Sequence, residues 1–411
     1  MLYFKHTELS EKFKVSISTV HNWIALTKEG KLDLQLHEEG KVIRIANTPA
    51  NLLKIEELVE QNKKFRNVRY HKVAEPTKEF YELYTRKQIL DIITNLDTHR
   101  EIPRQYNYFD EGAVNWDQYS QNRWTEEAPN LLKSTVELMG SNMAALDKLL
   151  QGHSQVNVID IGPGNALPVK ELLEHLVESG TLHRYIAIDI SEEMLHIAKR
   201  NIKEWFGEKV KFEGYVRDIT YERFDDIIVD DMLDKCADQT INLALLLGAT
   251  PMNFRAPKDI LKSICGSLGK NDLLVYTDKP DSEAERRSFN FNQPATASLS
   301  PNHRFIFDLL NIDDSLYDVE MGFNDQKKVR YIQVRLKVNL TIRFSFNGSE
   351  RNVNLKKGDA ILLWRVWHMS ALEIISCFEE AGFGLLQSSL TKDREYILTI
   401  SGVDTNSDIG V

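Results

Sequence analysis

Asp160, Gly162, Gly164 and Asn165 lie in one short stretch whose residue types suit a nucleotide-type ligand. Gly162 and Gly164, with Pro163 between them, permit a tight turn and let the backbone approach a ligand that a Cβ would push away. Val156, Val158 and Ile159 precede the turn as an apolar, β-branched run, the pattern of a central parallel strand covered on both faces. Leu167 to Ser179 follows, with Leu172, Leu173, Leu176 and Val177 on one helical face, so this helix aims free N–H groups at whatever sits over the turn. Two more carboxylates close later strand patterns: Asp189, followed by Ile190, and Asp218, followed by Ile219. A carboxylate one βαβ unit after the glycine turn can accept hydrogen bonds from both hydroxyls of a ribose.

The turn itself separates two cofactor classes. A dinucleotide site wants a small residue three positions after the second glycine, where helix and strand pack closely; here that position is Leu167. The Asp-x-Gly-x-Gly-x-Ala pattern is similar instead to that of S-adenosylmethionine-dependent methyltransferases. In these an Asp in the place of Asp218 holds the adenine amino group and the next apolar residue, here Ile219, packs on the ring. Taken singly, Asp189 could cap the helix that starts near Ser191, and Asp218 could merely turn the chain. The ordered set of glycine turn, Asp189 and Asp218 points to S-adenosylmethionine.

With 411 residues, the chain is too long for one ordinary core, and at 42% hydrophobic and 27% charged it is globular in class. No apolar run is long enough to span a bilayer and the first residues lack a secretory pattern, so a cytoplasmic protein without a membrane partner is expected. Cys236, Cys265 and Cys377 are far apart, which suits reduced core thiols. A net charge of −10 argues against a nucleic-acid-coated protein but allows a local basic patch. The sequence holds no Ser/His/Asp set, no His/Cys metal spacing and no phosphate-binding Gly-Lys-Thr. It also lacks the Asp/Asn-Pro-Pro-Tyr/Phe and Pro-Cys motifs of DNA methylation.

Several elements must position these residues. Thr7–Phe13 and Ile17–Ala25 read as two helices joined by a turn at Lys14–Ser16, packed through Leu9, Phe13, Val15, Val20 and Trp23. Leu34–Leu36 and Lys41–Ile45 read as a small β-wing and Ala50–Lys64 as a further helix. This order resembles the DNA-binding domain of MerR-type and excisionase-like regulators. The resemblance implies that the second helix enters the major groove and presents Ser18, Thr19, His21 and Asn22 to base edges. A module that binds protein or only dimerises fits the same residues, so a DNA partner and a homodimer both stay open. A polar linker from Arg66 to Thr77, a helix from Pro76 to Thr98 and an aromatic loop from Tyr106 to Tyr119 come next. Helices at Thr125–Met139 and Ser141–Leu150 then lead into the cofactor strand.

Beyond the third strand, Ile241–Leu247 runs into Gly248-Ala-Thr-Pro-Met-Asn253-Phe254, and Leu273–Thr277 into Asp278-Lys279. Together with the Tyr108-Phe-Asp-x-Gly segment and the late Lys356-Lys-Gly358-Asp359 turn, these resemble the histidine-specific methyltransferase family, which trimethylates the α-amino group of histidine in ergothioneine synthesis. The likeness covers about three quarters of the chain. It implies a Rossmann-like class I methyltransferase sheet of α/β class with an α+β accessory domain, here behind a winged helix-turn-helix. The divisions expected are 1–66, 67–150, 151–281, 282–365 and 366–411. The resemblance makes Asp160, Gly162, Pro163, Gly164, Asn165, Asp189, Ile190, Asp218, Ile219 and Gly248 cofactor residues. It also makes Asn253 the holder of a substrate carboxylate, with Tyr108 beside it.

The sequence leaves the family at the substrate. The Glu and Ser that grip imidazole in the family fall on Trp364 and Val366, neither of which can do so, and the family's cofactor-carboxylate lysine falls on Pro168, with Lys170 nearby. Trp364, Trp367 and His368 line an aromatic substrate pocket in one reading and are interior residues in the other. The expected activity is methyl transfer to a nitrogen of an amino acid, peptide or small metabolite other than histidine. The rival is a DNA-binding regulator whose methyltransferase fold only senses S-adenosylmethionine or mediates assembly.

Overall fold

The computed structural model describes residues 3–40, 42–233, 239–248, 250–282, 286, 298–346 and 348–404; Lys41, Cys236 and Ala249 lie outside them. The chain divides into two compact units, one of residues 1–73 with 338–341 and one of 74–337 with 342–411.

In the first unit β1 (Tyr3–Phe4), α1 (His6–Phe13), α2 (Ile17–Lys28), β2 (Leu36–Glu39), β3 (Val42–Ala46) and α3 (Pro49–Tyr70) follow in order. β3 pairs antiparallel with both β1 and β2. Leu9, Val20, Trp23, Ile24, Leu34, Ile45 and Ile55 are buried together, with Phe13 and Val15 packed against them. Ser16 caps α2 by accepting the Thr19 N–H at 3.2 Å. The polar run after Arg66 is not a linker. Helix α3 continues to Tyr70, and β4 (His71–Ala74) follows directly.

The second unit begins with α4 (Lys78–Leu83) and α5 (Arg86–His99), one helix in the apolar pattern but two in the structure. Thr85 and Gln88 form a capping box that starts a new helix there. A 3₁₀ turn (Arg104–Asn107) and α6 (Glu111–Thr125) replace the expected aromatic loop. Ala113 and Trp116, three positions apart, face Met194 and Ile197, a helical spacing hidden among polar residues. Then come α7 (Leu131–Ser141), started late because Asn130 caps it, and α8 (Met143–Leu150).

From there strands and helices alternate: β5 (Gln155–Ile161), α9 (Lys170–Glu178), β6 (Leu182–Asp189), α10 (Glu192–Phe206), β7 (Phe212–Val216), α11 (Asp225–Leu233), β8 (Thr240–Leu246), α12 (Pro257–Ser267) and β9 (Leu273–Asp278). After α13 (Pro301–Leu309), β10 (Tyr317–Asn324) and β11 (Val329–Leu336) the chain forms β12 (Asn339–Phe346), β13 (Ser349–Leu355) and β14 (Ala360–Trp367). It returns through α14 (Ala371–Glu379), β15 (Phe383–Leu390) and β16 (Ile397–Val403).

Seven strands form one sheet in the order β15-β16-β9-β8-β5-β6-β7, parallel from β9 to β7, with β16 pairing antiparallel with both β9 and β15. Alternate residues of the central strands bury opposite faces. Val158, Ala187, Leu243 and Val275 pack with α7, α9 and α10, whereas Ile159, Ile186, Ala244 and Leu274 pack with α12 and α14. The crossovers diverge between β5 and β8, which opens a crevice at the carboxyl ends of these strands. β10, β11 and β14 make a separate antiparallel sheet.

Candidate functional site

A cavity of about 900 Å³ lies over that crevice. Its floor is the β5 turn, where Gly162 and Gly164 have φ of 67° and 57° and Ala166 one of 60°. A Cβ on Gly164 would stand 2.3 Å from the Trp116 ring, so only glycine lets α6 close down on the turn. Asn165 fixes the same contact from the side: its amide donates to Ser120 Oγ at 3.2 Å and its Oδ1 accepts the Leu167 N–H at 3.2 Å.

Three carboxylates line this end. Asp160 accepts the Tyr185 hydroxyl at 2.9 Å, and burial pushes its carboxyl up to about 7. Asp189, at the end of β6, accepts the Ser191 N–H at 3.0 Å, and burial lifts it likewise to about 7. Asp218 is raised by burial, and its Oδ1 takes both the hydroxyl and the N–H of Thr220, at 2.5 and 3.0 Å. Pro163, Ile190, Ile219 and Gly248 line the cavity beside them, so all ten residues singled out for the cofactor meet in one space.

The far end of the cavity is built from the 3₁₀ turn, α13 and β14, and here Tyr108, Asn253 and Trp364 come together. Trp364 Nε1 donates to Asn253 Oδ1 at 3.0 Å. Arg104 Nε donates to the Tyr108 hydroxyl at 3.0 Å, with its guanidinium 5.2 Å from that ring. His303 stands edge-on to Trp364, with ring centroids 6.5 Å apart, and shares a 2.7 Å hydrogen bond between Nδ1 and the Ser300 hydroxyl. Burial, reinforced by the Arg104 charge, pushes this imidazole down to about 3, so it is neutral at physiological pH.

A family model described as histidine-specific methyltransferase, SAM-dependent, matches residues 86–401. The chain belongs to this histidine-specific, SAM-dependent methyltransferase family. It is a methyltransferase, and its cofactor is S-adenosylmethionine. No protein in the search of curated proteins matches the sequence. Among solved structures, an S-adenosylmethionine-dependent methyltransferase from Clostridium acetobutylicum shares 12% identity at a TM-score of 0.38, over 72% of this chain and 98% of that one. The PH0226 protein from Pyrococcus horikoshii shares 13% at 0.39, over 72% and 100%. The 1,6-didemethyltoxoflavin-N1-methyltransferase of Burkholderia thailandensis shares 14% at 0.33, over 74% and 90%.

In this member of the histidine-specific family, the two positions on which the sequence resemblance places the imidazole-binding pair are divided. Trp364 lines the cavity, while Val366 packs into the core beneath the sheet. Trp367 and His368 border a second, smaller cavity instead, and Trp367 Nε1 donates to the Phe254 carbonyl at 2.8 Å. Pro168 lines the main cavity but Lys170 does not; its ammonium pairs with Glu174 at 3.6 Å and stacks over Trp205. Sequence reasoning missed Arg104, Gln105 and His303, because α13 and the 3₁₀ turn are brought together only by the fold.

In the first unit, Ser18, His21 and Asn22 are exposed on α2 and Thr19 is half-buried. The Ser18 and Thr19 hydroxyls bond Ser16 Oγ at 2.7 and 2.8 Å, and His21 Nε2 meets His6 Nδ1 at 3.0 Å. Cys265 and Cys377 are buried free thiols. Among the described residues, no helix is long and apolar enough to cross a membrane.

Proposed function

We propose that this methyltransferase methylates a nitrogen nucleophile of an amino acid, peptide or small metabolite other than histidine. The observation that carries the reading is Trp364, which stands where the resemblance puts the imidazole-gripping acid and closes on Asn253 Oδ1 at 3.0 Å. An indole N–H donates but cannot accept, so it offers nothing to an imidazole N–H.

The residues present fit the cofactor. Asp189 is a recessed carboxylate raised to about 7 by burial, whose hydrogen bonds come from backbone N–H groups, a suitable partner for a ribose diol. Asp218 suits an adenine amino group, Ile190 and Ile219 suit the flat faces of the ring, and the backbone at Gly162 and Gly164 suits close approach of the amino-acid part. When bound, S-adenosylmethionine supplies an electrophilic methyl and its own leaving group. The protein's part is to align the nucleophile on the line of displacement and to exclude water, which Trp116, Tyr108 and Trp364 do as walls of the cavity.

The test is S-adenosylhomocysteine release across amino acids, peptides and heteroaromatic amines, with calorimetric titration of wild type and Asp189→Ala. Turnover with one of these but not with histidine, and cofactor binding lost in the variant, are expected. Histidine as the best substrate would sink the substrate reading, and intact binding by Asp189→Ala would sink the cofactor assignment.

For the first unit we propose a winged helix-turn-helix that binds duplex DNA through α2. Helix, turn, capped helix and paired strands in this order support it, with Ser18, His21 and Asn22 exposed. Fluorescence anisotropy of the full chain with labelled duplexes at rising salt tests it; affinity that falls with salt is expected, and none at low salt refutes it. If S-adenosylhomocysteine never forms while duplex binding responds to S-adenosylmethionine, the regulator reading replaces the enzymatic one.

A further inference from the structure

The charges around the main cavity are unevenly distributed. Its carboxylates, Asp160, Asp189 and Asp218, all stand at the end assigned to the cofactor. Around the rest of the wall the charged side chains are Arg104, Arg123, Arg217 and Arg330: Arg123 is neutralised by Glu126 and Arg217 by Asp226, each at 2.7 Å, and Arg330 stands over the Trp364 ring, 5.8 Å from its centroid, and has a further partner. Arg104 differs. Its guanidinium bonds only the Tyr108 hydroxyl and stacks on that ring, and among the described residues no carboxylate lies within ion-pair distance.

Three polar atoms at this end are buried without a hydrogen-bond partner: Arg104 Nη1, Gln105 Oε1 and His303 Nε2. Gln105 is only 5% exposed. Leaving such atoms unsatisfied is costly, and a cation without a counter-charge in a recess more so. A ligand that satisfies all three carries an anionic acceptor for Arg104 and a donor for Gln105 Oε1. The Trp364 ring beside them sets a flat boundary.

We propose that Arg104 holds a carboxylate of the methyl-accepting substrate, flanked by Gln105 and His303, and that the substrate is an aromatic or heteroaromatic carboxylic acid. The proposal rests on the reading of this cavity as a methyltransferase site and gives its substrate class. A planar carboxylate matches the fork left open by the guanidinium once Nε is committed to Tyr108. The neighbouring Gln105 oxygen disfavours a phosphate, whose additional oxygens it would repel.

The test uses the full chain and titrates matched pairs, 2-aminobenzoate against 2-aminobenzamide and L-tryptophan against L-tryptophanamide, with and without saturating S-adenosylhomocysteine. In wild type at least one acid binds about 10- to 100-fold tighter than its amide, the worth of a charge-assisted hydrogen bond. Arg104→Gln removes that preference while S-adenosylhomocysteine affinity stays the same, and Arg104→Lys restores part of it. Equal affinity within both pairs, absence of binding by both acids included, overturns the proposal, as does a preference that survives Arg104→Gln. Failure to bind S-adenosylhomocysteine marks failure of the cofactor assignment separately.

Discussion

As the proposed partner of the cofactor's ribose, Asp189 would tie recognition of the cofactor to pH. Burial lifts its carboxyl to about 7, against about 4 in an unfolded chain, so between those values the folded protein holds a proton that the unfolded chain has released. Stability of the ligand-free protein therefore falls as pH rises through this window. Under the proposed assignment cofactor affinity moves the other way, because ribose hydroxyls would donate to the ionised carboxylate. We expect S-adenosylhomocysteine affinity to weaken about tenfold per pH unit below 7, measured by calorimetry between pH 6 and 8. Asp189→Asn should bind weakly with a flat profile; a wild-type profile without slope argues against ionised Asp189 as the ribose partner. Gly164→Ala is the second residue-scale case. Its φ of 57° costs about 1–2 kcal/mol for a residue with a Cβ, and that Cβ drives into Trp116. Cofactor affinity about tenfold or more below wild type is the expected result, and an unchanged constant would show that Trp116 yields freely.

Among elements, the joint between the accessory sheet and the cofactor core depends on one buried acid. Glu101, 8% exposed, accepts from Arg255 Nε and Nη2 at 3.2 and 3.0 Å and also pairs with Arg365 of β14. The same segment adds to the edge of β14, where the Ile102 N–H donates to the Leu362 carbonyl at 2.9 Å. Arg255 follows Asn253 closely in the chain, so this cluster holds the loop that places Asn253 on the cavity wall. Glu101→Gln leaves Arg365 buried without its counter-charge and should cost about 3 kcal/mol, read from denaturant unfolding. A change within about 0.5 kcal/mol would mean that solvent replaces the acid.

For the whole molecule, the division into two units sets how ligand binding appears in unfolding. Every residue lining the cavity belongs to the second unit. At a hundredfold excess over its dissociation constant, S-adenosylhomocysteine stabilises that unit by about 2.7 kcal/mol. In calorimetric scans one transition should rise with ligand while that of the first unit stays in place; a joint shift would show that the two unfold together.

The sequence by itself determined the parts of this protein that depend on local spacing. The β-branched run into Gly162 and Gly164, the carboxylates after the next two strands and the spacing of the two helices that pack around Trp23 are all written over short stretches, because period and turn chemistry are short-range properties. The expected aromatic loop was the local failure: Ala113 and Trp116 are too few apolar positions to announce α6 until Met194 and Ile197 supply the surface they pack on. Tertiary structure alone decided the far end of the cavity. Arg104, Gln105, His303 and Trp364 come from segments far apart in the chain and no pattern links them; the packing of α13 and β14 against the 3₁₀ turn makes them one site. The unpaired charge of Arg104 is likewise invisible in sequence, since acids are plentiful in a chain of net charge −10. Only their distances show that none among the described residues reaches it.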